Sequence, residues 1–173
     1  MNHVAWLRGI NVGGKRSLPM AKVRSTFEAA GATNVATYIQ SGNVIFSATR
    51  SLTAAKLAAL LETTAGFAVP VVLRTAAELA ALIAANPYPK SESVHCAFLP
   101  AAPTKPQLAK LDAFDAAPYL PARYAINNHE LYLDLPEGIG RDKLANTVLR
   151  VFPDATVRNW RTVLHVQGML NAL

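Results

Sequence analysis

Cysteine is almost missing from this chain. Cys96 is the single thiol in 173 residues, so no disulfide can form within the chain, and no Cys/His grouping has the spacing of a structural zinc site. Metal and disulfide staples are therefore not expected. Long apolar runs are missing too: none reaches the roughly 18 residues that span a bilayer, and the opening Met-Asn-His-Val-Ala-Trp-Leu-Arg lacks a charged segment ahead of a signal-like stretch. The expected setting is a reducing cytoplasm, with no membrane partner. Charged residues are sparse at 16%, and acids are lacking at both ends of the chain. Residues 1–27 carry Arg8, Lys15, Arg16, Lys22 and Arg24 with no acid, and residues 155–173 add Arg158 and Arg161, again with none. Residues 51–154 hold nine basic and ten acidic side chains, so the formal charge of +6 is a property of the termini.

What is present is enough for a substantial core. With 51% apolar side chains, the chain lies outside the disordered, collagenous and coiled-coil compositions. Periodicity predicts a strand over 3–8, a Gly-rich loop over 9–16, and a helix opened by Pro19 and stopped by Gly31. Two β-rich runs, 35–40 and 43–47, read as a hairpin joined by Ser41-Gly42. A helix over 52–65, a strand over 69–74 and a connecting helix over 76–85 follow. After the turn-rich segment 86–93 the same order begins again. His95-Cys96-Ala97-Phe98-Leu99 echoes His3-Val4-Ala5-Trp6-Leu7, and the segment from Ile126 mirrors the one from Ile39, 87 residues apart. A helix over 104–114, another over 141–151, a strand near 156–158 and a last helix from Trp160 complete the pattern. The expected fold is α+β: duplicated ferredoxin-like β-α-β-β-α-β units at 1–85 and 94–173, joined by a linker at 86–93 and carrying extra connecting and C-terminal helices. In such a unit the loop after strand one and the hairpin between strands two and three share an end, so 9–16 and 40–43 should lie side by side.

Gly9-Ile10-Asn11-Val12-Gly13-Gly14-Lys15 matches the G-x-x-x-x-G-K pattern of a phosphate-binding loop. The match fails at the next position, where Arg16 replaces the hydroxyl that would ligate Mg²⁺. The acid at the end of an apolar run that could partner such a loop is Asp134. Its run reads as a hairpin strand and not as the parallel strand a Walker B site requires, which argues against a nucleotide triphosphatase. A weaker form of the idea survives. A loop with three glycines can aim backbone N–H groups into a concavity, a following helix adds partial positive charge, and Arg8, Lys15 and Arg16 add full charges. The competing reading is that the glycines only permit positive φ in a tight crossover and the cations are solvated surface.

The series Leu7-Arg8-Gly9-Ile10-Asn11-Val12-Gly13-Gly14-Lys15, Pro19-Met20 and Thr37-Tyr38-Ile39-Gln40-Ser41-Gly42-Asn43-Val44-Ile45-Phe46 resembles the domain-of-unknown-function 1697 family. Val157-Arg158-Asn159-Trp160-Arg161-Thr162-Val163 looks like that family's Arg-Asn-Trp-x-Thr signature. The resemblance implies a bacterial protein with a duplicated α+β fold. It brings no catalytic residues and no cofactor. The motif positions are largely polar loop residues, which favours a site over packing. The candidate ligand-binding set is Arg8, Asn11, Gly13, Gly14, Lys15, Arg16, Gln40, Ser41, Asn43, Arg158, Asn159 and Trp160. Each group also has a scaffold reading. Gln40, Ser41 and Asn43 are ordinary turn formers, and Asn159 can cap the last helix while Trp160 packs it and Arg158 bonds a nearby carbonyl. His3 and His95 fall in apolar strands, and Cys96 reads as an inert buried thiol.

Three functions follow from these residues. The first is a binding module for a phosphate-bearing or other anionic ligand, held by the 9–16 loop and the 40–43 hairpin. The second is an enzyme acting on a phosphorylated or carboxylated metabolite, for which no acid, base or nucleophile stands out. The third is a scaffold that binds protein or nucleic acid; the nucleic-acid form needs stacking aromatics on an open sheet face, with Tyr38 and Phe46 as the candidates.

Overall fold

A computed structural model of the chain describes residues 1–48 and 52–173. In the first strand, β1 (Asn2–Leu7), residues 4–7 are all apolar because both faces are covered there. Ala5 and Leu7 join a core packed by helices, while Val4 and Trp6 on the opposite face are equally buried. Helix α1 (Met20–Ala29), strands β2 (Thr33–Tyr38) and β3 (Asn43–Ser47), helix α2 (Ala54–Ala65), strand β4 (Val71–Thr75) and helix α3 (Ala76–Ala84) follow. The sheet order is β2-β3-β1-β4 with every neighbouring pair antiparallel, which is the ferredoxin-like arrangement.

The second pass repeats it. Strand β5 (Val94–Phe98), helix α4 (Lys105–Asp112), strands β6 (Arg123–Asn127) and β7 (Glu130–Asp134), helix α5 (Lys143–Val151) and strand β8 (Thr156–Asn159) form a sheet in the order β6-β7-β5-β8. Helix α6 (Trp160–Asn171) then starts directly after β8, as α3 does after β4. The compact units are Met1–Ala81 with Leu164–Leu173, and Leu82–Val163. This division differs from the expected 1–85, 86–93 and 94–173 in giving the last ten residues to the first unit. There His165 stacks on Tyr38 with ring centroids 3.9 Å apart.

Local chemistry accounts for the element ends. Thr53 caps α2 by accepting from the Lys56 amide, and Gly66 closes that helix in the left-handed conformation. Thr104 and Gln107 form a capping box on α4, Thr75 and Glu78 do the same for α3, and Asp142 accepts from the Ala145 amide at the start of α5. The first core centres on Phe27, Val44, Phe46, Leu57 and Leu61, with Phe27 and Phe46 edge to face at 5.2 Å. The second centres on Leu99, Leu131, Leu133, Leu144 and Val148.

The first hairpin corrects the expected two-residue turn. Strand β2 ends at Tyr38, which pairs with Asn43, so residues 39–42 form a four-residue loop with Ile39 at φ 50° and Gly42 at φ 90°. The second hairpin keeps a two-residue turn, Asn128-His129, closed by the pair Asn127 and Glu130. Ile126 therefore stands in a strand where Ile39 stands in a turn.

His95 is half-buried on β5, with Nδ1 3.3 Å from the Ser93 carbonyl oxygen. Burial lowers its pKa below the ordinary value of about 6.5, outweighing the bond to Ser93. A lowered folded-state value means the fold prefers neutral imidazole. Its contribution is complete above about pH 6.5 and is lost as pH falls through the lower folded value. Urea midpoints measured from pH 7 downward should decline less for His95→Gln than for the natural protein. Identical slopes would contradict this.

Candidate functional site

The segment 9–16 leaves β1 and folds into a miniature hairpin. The Asn11 amide donates to the Arg16 carbonyl and the Lys15 amide to the Val12 carbonyl, both at 2.9 Å, with Gly13 (φ 56°) and Gly14 (φ 72°) at the tip. Two consecutive positive φ values are what a primed two-residue turn demands, which is why two glycines occupy it. Helix α1 begins only at Met20, with Pro19 at the cap position making no side-chain bond. The helix thus starts where Pro19 predicts, but the Gly-rich loop before it is itself a hairpin separated from the helix by residues 17–19, so the positive charge here comes from side chains. The N–H groups of Gly13 and Gly14 make no bond among the described residues.

Two side chains hold this hairpin in place. Asn11, at φ 53°, accepts from the Leu18 amide (2.8 Å) and donates both to the Leu18 carbonyl and to the Gln40 carbonyl (2.9 Å each). Arg16 turns back over its own loop, donating from Nε to the Gly9 carbonyl and from Nη2 to the Ala68 carbonyl. Its guanidinium lies 4.5 Å from the centroid of the Phe67 ring. Neither role was visible in the sequence, because each depends on residues brought in from 29 or 52 positions away.

The 39–42 turn meets this loop at the same end of the sheet. The Leu7 amide donates to the Gly42 carbonyl at 2.8 Å, and the Asn11 bond to Gln40 ties the two loops together. Asn43 is buried and donates to the Tyr38 carbonyl (2.8 Å) and Ser41 Oγ (3.2 Å), so it closes the turn from inside. Gln40 and Lys15 are exposed, their side chains making no hydrogen bond or ion pair among the described residues, and Arg8 is half-buried. The fold thus brings Arg8, Asn11, Gly13, Gly14, Lys15, Arg16, Gln40, Ser41 and Asn43 into one edge, with Asn11 and Asn43 as its internal fastenings.

In the second unit, Asn159 Oδ1 accepts from the Thr162 amide at 2.8 Å and caps α6. Arg158 Nη1 donates to the Val157 carbonyl at 2.9 Å, and burial lowers its pKa to about 10. Trp160 approaches Tyr132 with ring centroids 6.2 Å apart, and Tyr132 Oη donates to the Leu82 carbonyl at 2.6 Å. Arg74 on β4 repeats the Arg158 geometry, Nη1 donating to the Leu73 carbonyl at 2.8 Å. The two strand ends are thus duplicated down to this bond.

Of the two aromatics that were candidates for stacking on an open sheet face, Phe46 is fully buried and Tyr38 is stacked on His165. Among the described residues no group of three or more His, Cys, Asp or Glu side chains could hold a metal ion, and no helix is long and apolar enough to cross a membrane.

Comparison with solved structures finds the same architecture in the conserved bacterial protein SP0830 from Streptococcus pneumoniae, at a TM-score of 0.76 and 21% identity over 98% of each chain. At that identity the likeness speaks for the fold. No curated protein matches the chain. A family model matches residues 1–132, a span that includes the 9–16 loop and the 39–42 turn and stops short of the 157–163 run. The chain belongs to that family, described as a protein of unknown function, DUF1697.

Proposed function

We propose that this protein is a binding module for a phosphate-bearing or otherwise anionic small molecule, held along the edge formed by the 9–16 loop and the 39–42 turn. The observation that carries the reading is the state of Arg16. Its guanidinium is fixed by two backbone carbonyls and the Phe67 ring, while residues 1–27 contain no carboxylate to neutralise it. A cation held in this way loses little side-chain entropy on meeting an anion, and Nη1 keeps its donors. Lys15 supplies a second charge from the tip, and the Gly13 and Gly14 amides supply neutral donors beside it. The burial of Phe46 and the stacking of Tyr38 remove two rings that a nucleic-acid strand would need, which favours a small ligand over a polymer.

A thermal-shift panel of inorganic phosphate, mononucleotides and sugar phosphates tests this. A ligand at 100 times its Kd should stabilise the protein by about 2.7 kcal/mol. A charge-assisted hydrogen bond contributes about 1.5–3 kcal/mol, so Lys15→Ala should weaken binding about tenfold or more by calorimetry. Lys105→Ala, in the other unit, should leave it unchanged. Equal affinities for the natural protein and Lys15→Ala would overturn the assignment.

A further inference from the structure

Ile39 stands where folding alone would favour another residue. Among the described residues, the non-glycine positions with positive φ are Asn11, Asn34, Asn128, Arg16 and Ile39. Asparagine tolerates this region, and Arg16 is held there by two carbonyls. Ile39, at φ 50°, is the β-branched member of the set, and such a side chain is strained in the left-handed region. Core packing does not offset that strain: Ile39 is 48% exposed and lies outside the core built around Phe27 and Phe46. A backbone outlier that serves no core points to a residue chosen for function.

A second exposed aliphatic side chain belongs to the same edge. Val12 is 60% exposed and forms an antiparallel bridge with Lys15. Directly opposed residues of such a pair carry their side chains on one face, with Cβ atoms about 5 Å apart, so the Val12 side chain stands beside that of Lys15. The Asn11 bond to the Gln40 carbonyl, at 2.9 Å, ties the two loops together one residue away from Val12 and one residue away from Ile39. A singly exposed apolar side chain is ordinary surface. Here two of them flank the cation and the amide donors of the anion site, and one is held there against its backbone preference.

We infer that the ligand of this edge is an amphiphilic anion, a phosphate monoester with a short aliphatic body. Its phosphate meets Lys15 and Arg16, and its alkyl chain lies against Val12 and Ile39. The inference rests on the anion site proposed above and adds the class of ligand to it. A bare phosphate leaves both aliphatic side chains in water. A sugar phosphate of similar size sets hydroxyl groups against them, where those groups give up hydrogen bonds to water without gaining partners. An alkyl phosphate satisfies both halves of the edge at once. Two aliphatic side chains bury too little area to hold a bilayer, so a free ester, and not a membrane headgroup, is the source assigned.

Calorimetry of the full chain with methyl phosphate and hexyl phosphate tests the inference. Full burial of one methylene strengthens binding about fourfold, so five of them, partly covered, should make the hexyl ester at least about tenfold tighter than the methyl ester. Val12→Ser and Ile39→Asn should each cut that ratio severalfold, whereas Lys15→Ala should weaken both esters alike and keep the ratio. Ile39→Asn should also have a urea midpoint no lower than that of the natural protein, because asparagine relieves the strain at φ 50°, so damage to the fold cannot explain its loss. If it does unfold, Val12→Ser decides alone. Vesicles of phosphatidic acid in phosphatidylcholine should not co-sediment the protein. Equal affinities for the two esters, both weakened by Lys15→Ala, overturn this inference and leave the anion site standing. Failure of both esters to bind overturns the two together. A hexyl advantage that survives in both apolar-site variants, or capture by the vesicles, also overturns it.

Discussion

Replacing Gly42 with alanine is expected to destabilise the protein by about 2–4 kcal/mol, read as a shift of the urea midpoint at constant slope. Two effects act together. At φ 90° an L side chain is strained, and the added Cβ would stand 2.7 Å from Leu7 Cβ and 2.9 Å from Ile10 Cδ1. Leu7 cannot easily move aside, because its amide is bonded to the Gly42 carbonyl and both Leu7 and Ile10 lie in the buried core. Gly13→Ala separates the two effects. It also has positive φ, but its Cβ would meet nothing within 4 Å, so only the strain of about 1 kcal/mol should remain. Equal losses at the two positions would show that crowding at Leu7 is not the cause.

Asn11→Ala is the second large effect. It removes three bonds between one side-chain amide and the backbone of Leu18 and Gln40. At about 1 kcal/mol each, with alanine also disfavoured at φ 53°, the loss should be about 3–4 kcal/mol. Asn11→Asp keeps the acceptor for the Leu18 amide and loses both donors, so its stability should fall between the natural protein and Asn11→Ala. Both variants release the loop from Gln40 and should therefore weaken anion binding, although neither alters a cation. Stability within 0.5 kcal/mol of the natural protein, the range of an ordinary surface substitution, would mean the loop is held by something other than Asn11.

How much of this was legible in the sequence depends on the range of the interaction that decides it. The strand order of each unit follows from apolar periodicity and from the rules for connecting short elements, and the same rules put the 9–16 loop beside the hairpin. The echo of His3 to Leu7 in His95 to Leu99 likewise marked the duplicated first strands, which pair with their β3 and β7 partners in the same register. The length of the first turn was hidden, because Ile39 looks like a strand residue yet takes φ 50°, beside a Gln40 carbonyl that accepts from the distant Asn11. The character of the loop was hidden for a similar reason. Gly13, Gly14 and Lys15 fit a phosphate-loop pattern locally, but Arg16 and Asn11 select a hairpin through carbonyls at Ala68 and Gln40 that no local pattern contains. Asn159 is the opposite case, since an Asn just ahead of an apolar run is a short-range capping signal, and the structure shows that bond.

The proposal that the 9–16 loop and the 39–42 turn form an anion site is tested most directly by following backbone amide resonances while inorganic phosphate, and then a mononucleotide, is added to the natural protein and to Lys15→Ala. Saturable shifts concentrated at Gly13, Gly14, Lys15 and Gln40, weakened by added salt and strongly reduced in the variant, are expected. Shifts scattered over the surface, or centred on another part of the chain and unchanged by Lys15→Ala, would contradict it.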